Sequence, residues 1–457
     1  MDSNYPEEKV PVCRPAPQPL IPYSDLISHD NPTVPTDIDP TIRRSRKRRT
    51  FRVVLALITI WVAYTFLPSI MGRHFLGSGC NGRNSSELAA SSMEPPLPPD
   101  VDIGDCANMT QDSVMASNLL RGRFSSSAEF KLPLSSEKLF LMSRGTAAGS
   151  VNFVQSDKDG KDVKIHVVAT YRHESALDYI MVCEISKGED QRGVGVFAPR
   201  WSGRRVGVNF DITVHLPSGS GKSPLKIKNF ETNLPLFAHD VGDLADTVHF
   251  DALSFESSLM RISVGSLSAT EVRLATSSAK IEGTFNTSSS LDLSTANAPI
   301  NVTVGLSNGK GTEATRLTMR TTNAAIGAKM SLVSGEKTGG EFIISGTTAV
   351  GPVDMIVTDA PVGSSISLKA RTALAPAIVK MHPAYEGEFI LSTSLRGVSL
   401  SVDEKVEDPA GKERKRSVDI RRVGSSRVTG SVSWSPEGKH LGFVNVETSM
   451  APAVLEL

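Results

Sequence analysis

FESSLMRI at Phe255–Ile262, LATSSAKI at Leu274–Ile281, LSTANAPI at Leu293–Ile300 and MRTTNAAI at Met319–Ile326 share one frame. An apolar residue opens each octet, Ser or Thr stands two places on, and Ile closes it. The copies are spaced by 19, 19 and 26 residues; LSTSLRGV (Leu391–Val398) is a fainter copy, and PVGSSISL (Pro361–Leu368) fits more loosely. The frame predicts that a strand ends, a Thr-x-Asn-Ala corner turns the chain, and the next strand begins at Ile. Asn tolerates left-handed backbone angles and a small Ala permits close stacking. A period near 20 fits β-helix-like coils, a solenoid in which each coil buries its apolar stripe against the next. A β-sandwich with a regular meander is the alternative.

Composition around the repeat agrees. Residues 252–350 hold 30 Ser/Thr and only three aromatics, all Phe. Small hydroxyls suit an outer face over an aliphatic inner one. Upstream, VKIHVVATY (Val163–Tyr171), YIMVCEI (Tyr179–Ile185), VGVNFDITVHLP (Val206–Pro217) and LKIKNFETNLPLF (Leu225–Phe237) have the β-branched alternation and Gly/Pro/Asn/Asp borders of strands. The expectation is an all-β domain over 125–457.

The N-terminal part differs in kind. Residues 1–50 form a tail, with nine prolines in the first 42 and then seven Lys/Arg between Arg43 and Arg52. Such a tail cannot bury enough surface to offset its ordering entropy and is expected to be disordered. Val53–Met71 is VVLALITIWVAYTFLPSIM, without a charge; as a helix it spans roughly 28 Å, close to a hydrocarbon core. Residues 51–72 therefore predict one transmembrane signal-anchor helix. The basic cluster before it places the N-terminus in the cytosol and the C-terminal side extracellular or luminal, in the plasma membrane or secretory pathway. Residues 73–124, with EPPLPPD at Glu94–Asp100, are expected to form a Ser/Pro-rich stalk.

Four N-x-[ST] sequons follow the span, at Asn84, Asn108, Asn286 and Asn301, and mark possible glycosylation. Cys80 and Cys106 flank the Pro-rich stretch and are candidates for a disulfide closing a stalk loop; Cys183, inside YIMVCEI, is expected as a buried free thiol. In the tail, Tyr23 and Leu26 of YSDL fit the Y-x-x-apolar pattern of a sorting motif.

Charge excludes one partner class. Lys+Arg 49 balance Asp+Glu 49, and with the first 72 residues removed the count is 40 against 42. No basic field for nucleic acid exists. The expected partners are the lipid bilayer and, beyond it, cell-wall polymer, matrix or a partner protein.

Catalytic and metal signatures are weak. GLSNG (Gly305–Gly309) matches G-x-S-x-G formally, but strands flank it and Asn308-Gly309 is a turn pair, so Ser307 is not expected as a nucleophile. GSGKS (Gly219–Ser223) is followed by Pro224, which forbids a phosphate-loop helix. His239, Asp240, Asp243, Asp246 and Asp251 lack the spacing of a calcium loop. No cofactor is implied. Carboxylates are sparse in the repeat (Glu256, Glu271, Glu282, Asp292, Glu313), and aromatic sugar platforms are missing. ERKRS (Glu413–Ser417) has the look of a dibasic processing site in a charged loop.

The TSSAKI, TANAPI and TTNAAI run resembles the putative-adhesin β-strand-repeat proteins. The whole layout is similar to an uncharacterised fungal family of single-pass membrane proteins: PYSDL tail, Arg cluster, one span, PPLPP stalk, repeat, and the terminal GSVSWSPEGKHLGFVNVETSMAPAVLEL. The resemblance implies an adhesin-like β-repeat surface, without catalytic residues. The 26-residue spacing and the insert at Lys412–Arg416 depart from an ideal solenoid. The expected function is a membrane-anchored, non-catalytic surface or interaction protein. A carbohydrate-active enzyme on a β-helix and a secretory-pathway resident membrane protein are the alternatives.

Overall fold

Alternating aliphatic and hydroxyl residues fold the repeat into strands that pair in parallel, each residue beside its counterpart one coil later. In this computed structural model the described residues are 95–109, 124–199, 207–219, 223–403 and 405–457. They belong to one unit, Arg83–Leu457; the other, Met1–Gly82, lies outside them, and with it the basic tail, the Val53–Met71 span, Tyr23, Leu26 and Cys80. Asn84 is also outside. Among the described residues no helix is long and apolar enough to cross a membrane.

The first strands are β1 (Asp102–Cys106), β2 (Phe124–Pro133), β3 (Lys138–Gly145), β4 (Ala148–Asp159), β5 (Asp162–Tyr171), β6 (Met181–Lys187), β7 (Gln191–Ala198) and β8 (Asn209–Ser218). The coils hold β9 (Leu225–Asn233), β10 (Phe237–Asp243), β11 (Val248–Glu256), β12 (Ile262–Ala275), β13 (Ile281–Ser294), β14 (Ile300–Asn308), β15 (Thr315–Arg320), β16 (Ile326–Ser334), β17 (Glu341–Thr347), β18 (Val353–Asp359), β19 (Ser365–Arg371) and β20 (Ala377–Lys380). Beyond them lie β21 (Gly387–Ser392), β22 (Val398–Ser401), β23 (Ser417–Val423), β24 (Arg427–Ser433), β25 (Gly442–Glu447) and β26 (Ala453–Glu456).

Pairings follow two rows. A back row runs β10, β12, β13, β14, β16, β18, β20, and a front row β9, β11, β12, β13, β15, β17, β19. All of these pairings are parallel, whereas a meander sandwich would have needed antiparallel neighbours. The long strands β12 and β13 serve both rows, with a register shift between Ala269 and Glu271 where they bend. Inward residues of both rows share one core. Its spine on the back row is Ile262, Ile281, Ile300 and Ile326, the closing Ile of each octet, all essentially solvent-free.

The corner chemistry explains the motif. Its hydroxyl residue is buried at Ser257, Thr276, Thr295, Thr321, Thr348, Thr372, Thr393 and Thr448. These hydroxyls mostly reach back one coil: Thr321 Oγ1 donates to the Ala298 carbonyl (3.2 Å), Thr348 to Ala324 (3.0 Å) and Thr372 to Gly351 (2.8 Å). Most corners also receive two successive N–H donors from the next. The Ser277 carbonyl accepts from Ala296 and Asn297, and the Ala296 carbonyl from Thr322 and Asn323. The expected left-handed Asn is not used, because no corner Asn has positive φ. Asn323 Nδ2 instead donates to Asn297 Oδ1 (2.7 Å), linking coils from outside.

Corners that the octet missed lie at Thr348–Val353, Thr372–Ala377 and Thr448–Ala453, where Val or Ala replaces the closing Ile after a Pro like that of LSTANAPI. PVGSSISL is not a corner: it leads into β19 on the opposite edge. The 26-residue spacing does not interrupt stacking either. Its extra residues form a loop after Asn308 on that edge, while the corner and both rows continue. Asn308 is buried and anchors this loop, donating to the Glu313 carbonyl (2.8 Å) and accepting from Glu341 N–H (3.1 Å).

Both ends depart from simple succession. On the front, β3 lies between β7 and β9; on the back, β4 lies between β8 and β10. Antiparallel β6 and β1 continue the front row, and β5 and β2 the back row. At the other end the chain's last coil, β25 and β26, inserts between the β19–β20 coil and the β21–β22 coil. Hairpin β23–β24 then closes the front row.

Two cysteine expectations are corrected. Cys106 is bonded to Cys183, so it does not pair with Cys80 and Cys183 is not a free thiol. The two are direct register partners on β1 and β6. Residues 102–106 are thus a strand of the β domain and not stalk. Ile103 and Val101 pack there on a second apolar cluster of Phe140, Met142, Ile185 and Phe197, outside the main core.

Candidate functional site

Small residues set between long ones on the front face open a shallow groove. Ala252 and Ser254 on β11 form its floor. Glu231 on β9 and Arg273 on β12 flank Ser254 in one row, and Asn229 and Glu271 flank Ala252 in the next. The groove continues to Ser290 and Asp292 on β13 and encloses about 360 Å³. Lys138 Nζ bonds Glu231 Oε2 at 2.9 Å across its N-terminal end. That pair is half-exposed and screened, so it shapes the wall more than it stabilises the fold. Past Lys138 a smaller depression of about 130 Å³ carries Arg144 and Lys187, with Arg144 donating to Asn233 Oδ1 at 2.8 Å.

Glu271 and Asp292 share this groove on adjacent coils. Glu271 pairs with Ser290, and Asp292 stands two residues further along. Strand geometry puts their Cα atoms about 8 Å apart. Asp292 Oδ1 is shielded from solvent and accepts no hydrogen bond, although Arg273 and Thr318 are its register neighbours. The arrangement offers hydroxyls, carboxylates and guanidinium or ammonium groups along an open trough, suited to a polar, extended ligand.

The back face holds a depression of about 460 Å³ above Gly283 and Gly327, rimmed by Asn301, Lys329 and Asp354. Two sequons lie on this face. Asn286 pairs with Gly305 and Asn301 with Gly327, and each Oδ1 lies where a Cβ on that glycine would fall. Both asparagines are exposed. Asn108 is exposed beyond β1, and its Thr110 lies outside the described residues.

The remaining candidates disperse. Ser307 lies near the end of β14, paired with Val333, without the strand-to-helix turn of a nucleophile elbow. Among the described residues no group of three or more His, Cys, Asp or Glu is placed to hold a metal ion. His239 leaves the acidic run for the core, where it replaces Ile in the spine beside Ile262. Burial pushes its pKa down to about 4, and Thr232 Oγ1 lies 2.7 Å from Nε2. Asp240 pairs with Arg261 at 2.9 Å. In ERKRS, Arg414 holds Asp408 through Nη2 (2.8 Å) and Nε (3.0 Å), and both Arg414 and Arg416 lie 5.9 Å from the Trp434 ring. The Arg414 hydrogen bonds hold the Asp408 carboxyl well below the usual range. That stretch is a tied cap, not a free loop.

Glu271 and Asp292 were visible in the sequence as isolated carboxylates. Their separation of 21 residues, one 19-residue coil plus two, is the signal that places them on one face. Lys138 and Glu231 carry no such signal, because the end coils do not follow chain order.

No protein-family model matches the chain, and no curated protein matches it. Among solved structures it is similar to a putative adhesin from Parabacteroides distasonis, at 8% identity over 73% of this chain and 97% of the other, TM-score 0.30. A putative adhesin from Parabacteroides merdae shares 14% identity over 56% and 89%, TM-score 0.28. A putative cell adhesion protein from Clostridium sporogenes shares 8% over 73% and 99%, TM-score 0.17. Overlaps this loose carry no argument about fold or activity.

Proposed function

We propose that this chain is a membrane-anchored, non-catalytic, adhesin-like protein that binds an extended polar polymer along its front groove. The groove itself carries this reading: a small-residue floor crossing successive coils, walled by charges of both signs and open along its length. Binding there sums many modest hydrogen bonds, with no deep pocket. Anchoring rests on the uncharged Val53–Met71 stretch and the basic cluster before it, which favour a cytosolic tail. In that topology YSDL is available to sorting adaptors, and the sequons face glycosylation enzymes. Wall polymer, matrix and partner protein are the ligands to try.

One observation favours a second reading, a carbohydrate-active enzyme: Glu271 and Asp292 bring two carboxylates into one groove from adjacent coils, the residue types that glycoside hydrolysis uses. One experiment separates the two. Full chain is bound to insoluble wall polysaccharide and to matrix protein, with Ser254→Trp filling the front floor and Lys329→Trp as a back-face control. Binding is expected to fall tenfold or more in the first variant and to hold in the second. Equal behaviour of the two variants would remove the front groove as the site. Release of reducing ends that disappears in Glu271→Gln would favour the enzyme.

A further inference from the structure

The front row ends in two strand edges of opposite charge. At the N-terminal end, β1 pairs only with β6 among the described strands; at the C-terminal end, β23 pairs only with β24. β1 exposes Asp102 and Asp105. β23 exposes Arg421 and Arg422 against the single Asp419, with Arg427 on the strand beside it. β23 also leaves Ile420 and Val423 about half-exposed (44% and 53%).

Direction makes the edges compatible. β1 is antiparallel to β6, which is antiparallel to β7, and β7 is parallel to the coils. β23 is likewise two antiparallel steps from β21, which is parallel to β25. Both edges therefore run with the coils. One unbroken row of register partners leads from Ile103 on β1, through Glu231, Asp292 and Lys369, to Arg421 on β23. Shifting a second copy along the coil axis places its Ile103 beside Arg421 of the first. Asp102 then stands beside Ile420 and Asp105 beyond Arg422, past the register shift that β1 makes between Ile103 and Cys106, so the two carboxylates bracket the Arg421–Arg422 pair.

We propose that the partner of these edges is a second copy of this chain, joined head to tail by parallel pairing of β23 with β1. Exposed edges recruit strands, and charge on an edge normally opposes recruitment. Here like charge opposes β1 with β1 and β23 with β23, leaving the unlike pair as the permitted contact. The contact is heterologous and does not close on itself, so it extends into rows of copies. On the back row the terminal strands β2 and β22 also run with the coils, but that row is shorter by two strands among the described residues, so the junction is made by the front row alone.

The test is sedimentation of purified full chain in detergent over a concentration series, at about 0.1 M and 0.5 M salt. Mean mass is expected to rise with concentration and to fall at high salt, as screened charge contacts require. Arg421→Glu with Arg422→Glu, and separately Asp102→Lys with Asp105→Lys, are each expected to weaken association tenfold or more. An equimolar mixture of the two variants is expected to regain it, because every junction between unlike copies is again complementary. Recovery requires both variants to be folded, and the milder Arg421→Gln with Arg422→Gln gives an intermediate loss. A chain that stays monomeric at every concentration, or association indifferent to the reversals, overturns the proposal.

Discussion

His239 occupies a position that the fold otherwise gives to Ile, and the cost appears as a pH dependence. Its row continues through Ile262, Ile281, Ile300 and Ile326, and the imidazole is fully buried beside Phe255. Burial disfavours the charged form and lowers the pKa from 6.5 to about 4. Protonation therefore favours the unfolded chain. The stability is fully present above pH 6.5 and is lost as pH falls through 4, by about 3 kcal/mol in total. Urea unfolding at pH 7 and pH 4.5 checks this. His239→Ile is expected to remove most of the difference, and a variant with the wild-type loss would contradict it. In the sequence this histidine stood beside Asp240 and looked like part of an acidic loop. Strand alternation separates the two, turning Asp240 out to Arg261 and the imidazole inward.

The corner is the element that was most legible. A Thr five residues before an aliphatic residue recurs because both are buried, the hydroxyl on the preceding coil's carbonyl and the side chain in the spine. Thr321→Val keeps the shape and removes the donor, leaving the Ala298 carbonyl one bond short. A loss of about 1–2 kcal/mol is expected in urea midpoints with an unchanged slope, and Thr321→Ser is expected to recover most of it. Corners closing on Val or Ala escaped the pattern because the spine tolerates those residues once coil spacing is set. Asn at the corner suggested a left-handed turn; it serves a side-chain ladder, which one coil alone cannot reveal.

At the scale of the molecule, the order of coils is not the order of the chain. β25–β26 fills the space between β19–β20 and β21–β22, so each of those coils depends on the last residues for a neighbour. Deleting residues 442–457 is expected to leave β21–β24 without a neighbouring coil and open to protease, while the coils before β19 persist. Limited proteolysis reads this directly, and a protected 387–434 segment would contradict it. Short-range pattern determined the strands, the corner and the aliphatic spine, since each depends on residues about one coil apart. It also carried the uncharged stretch Val53–Met71 and its basic flank, which lie outside the described residues. Only tertiary structure decided that Cys106 meets Cys183, that Lys138 walls a groove with Glu231 and Glu271, and that β1 and β23 end the same row. These contacts join residues 77 or more apart in the chain, across inserted coils whose order no local period encodes.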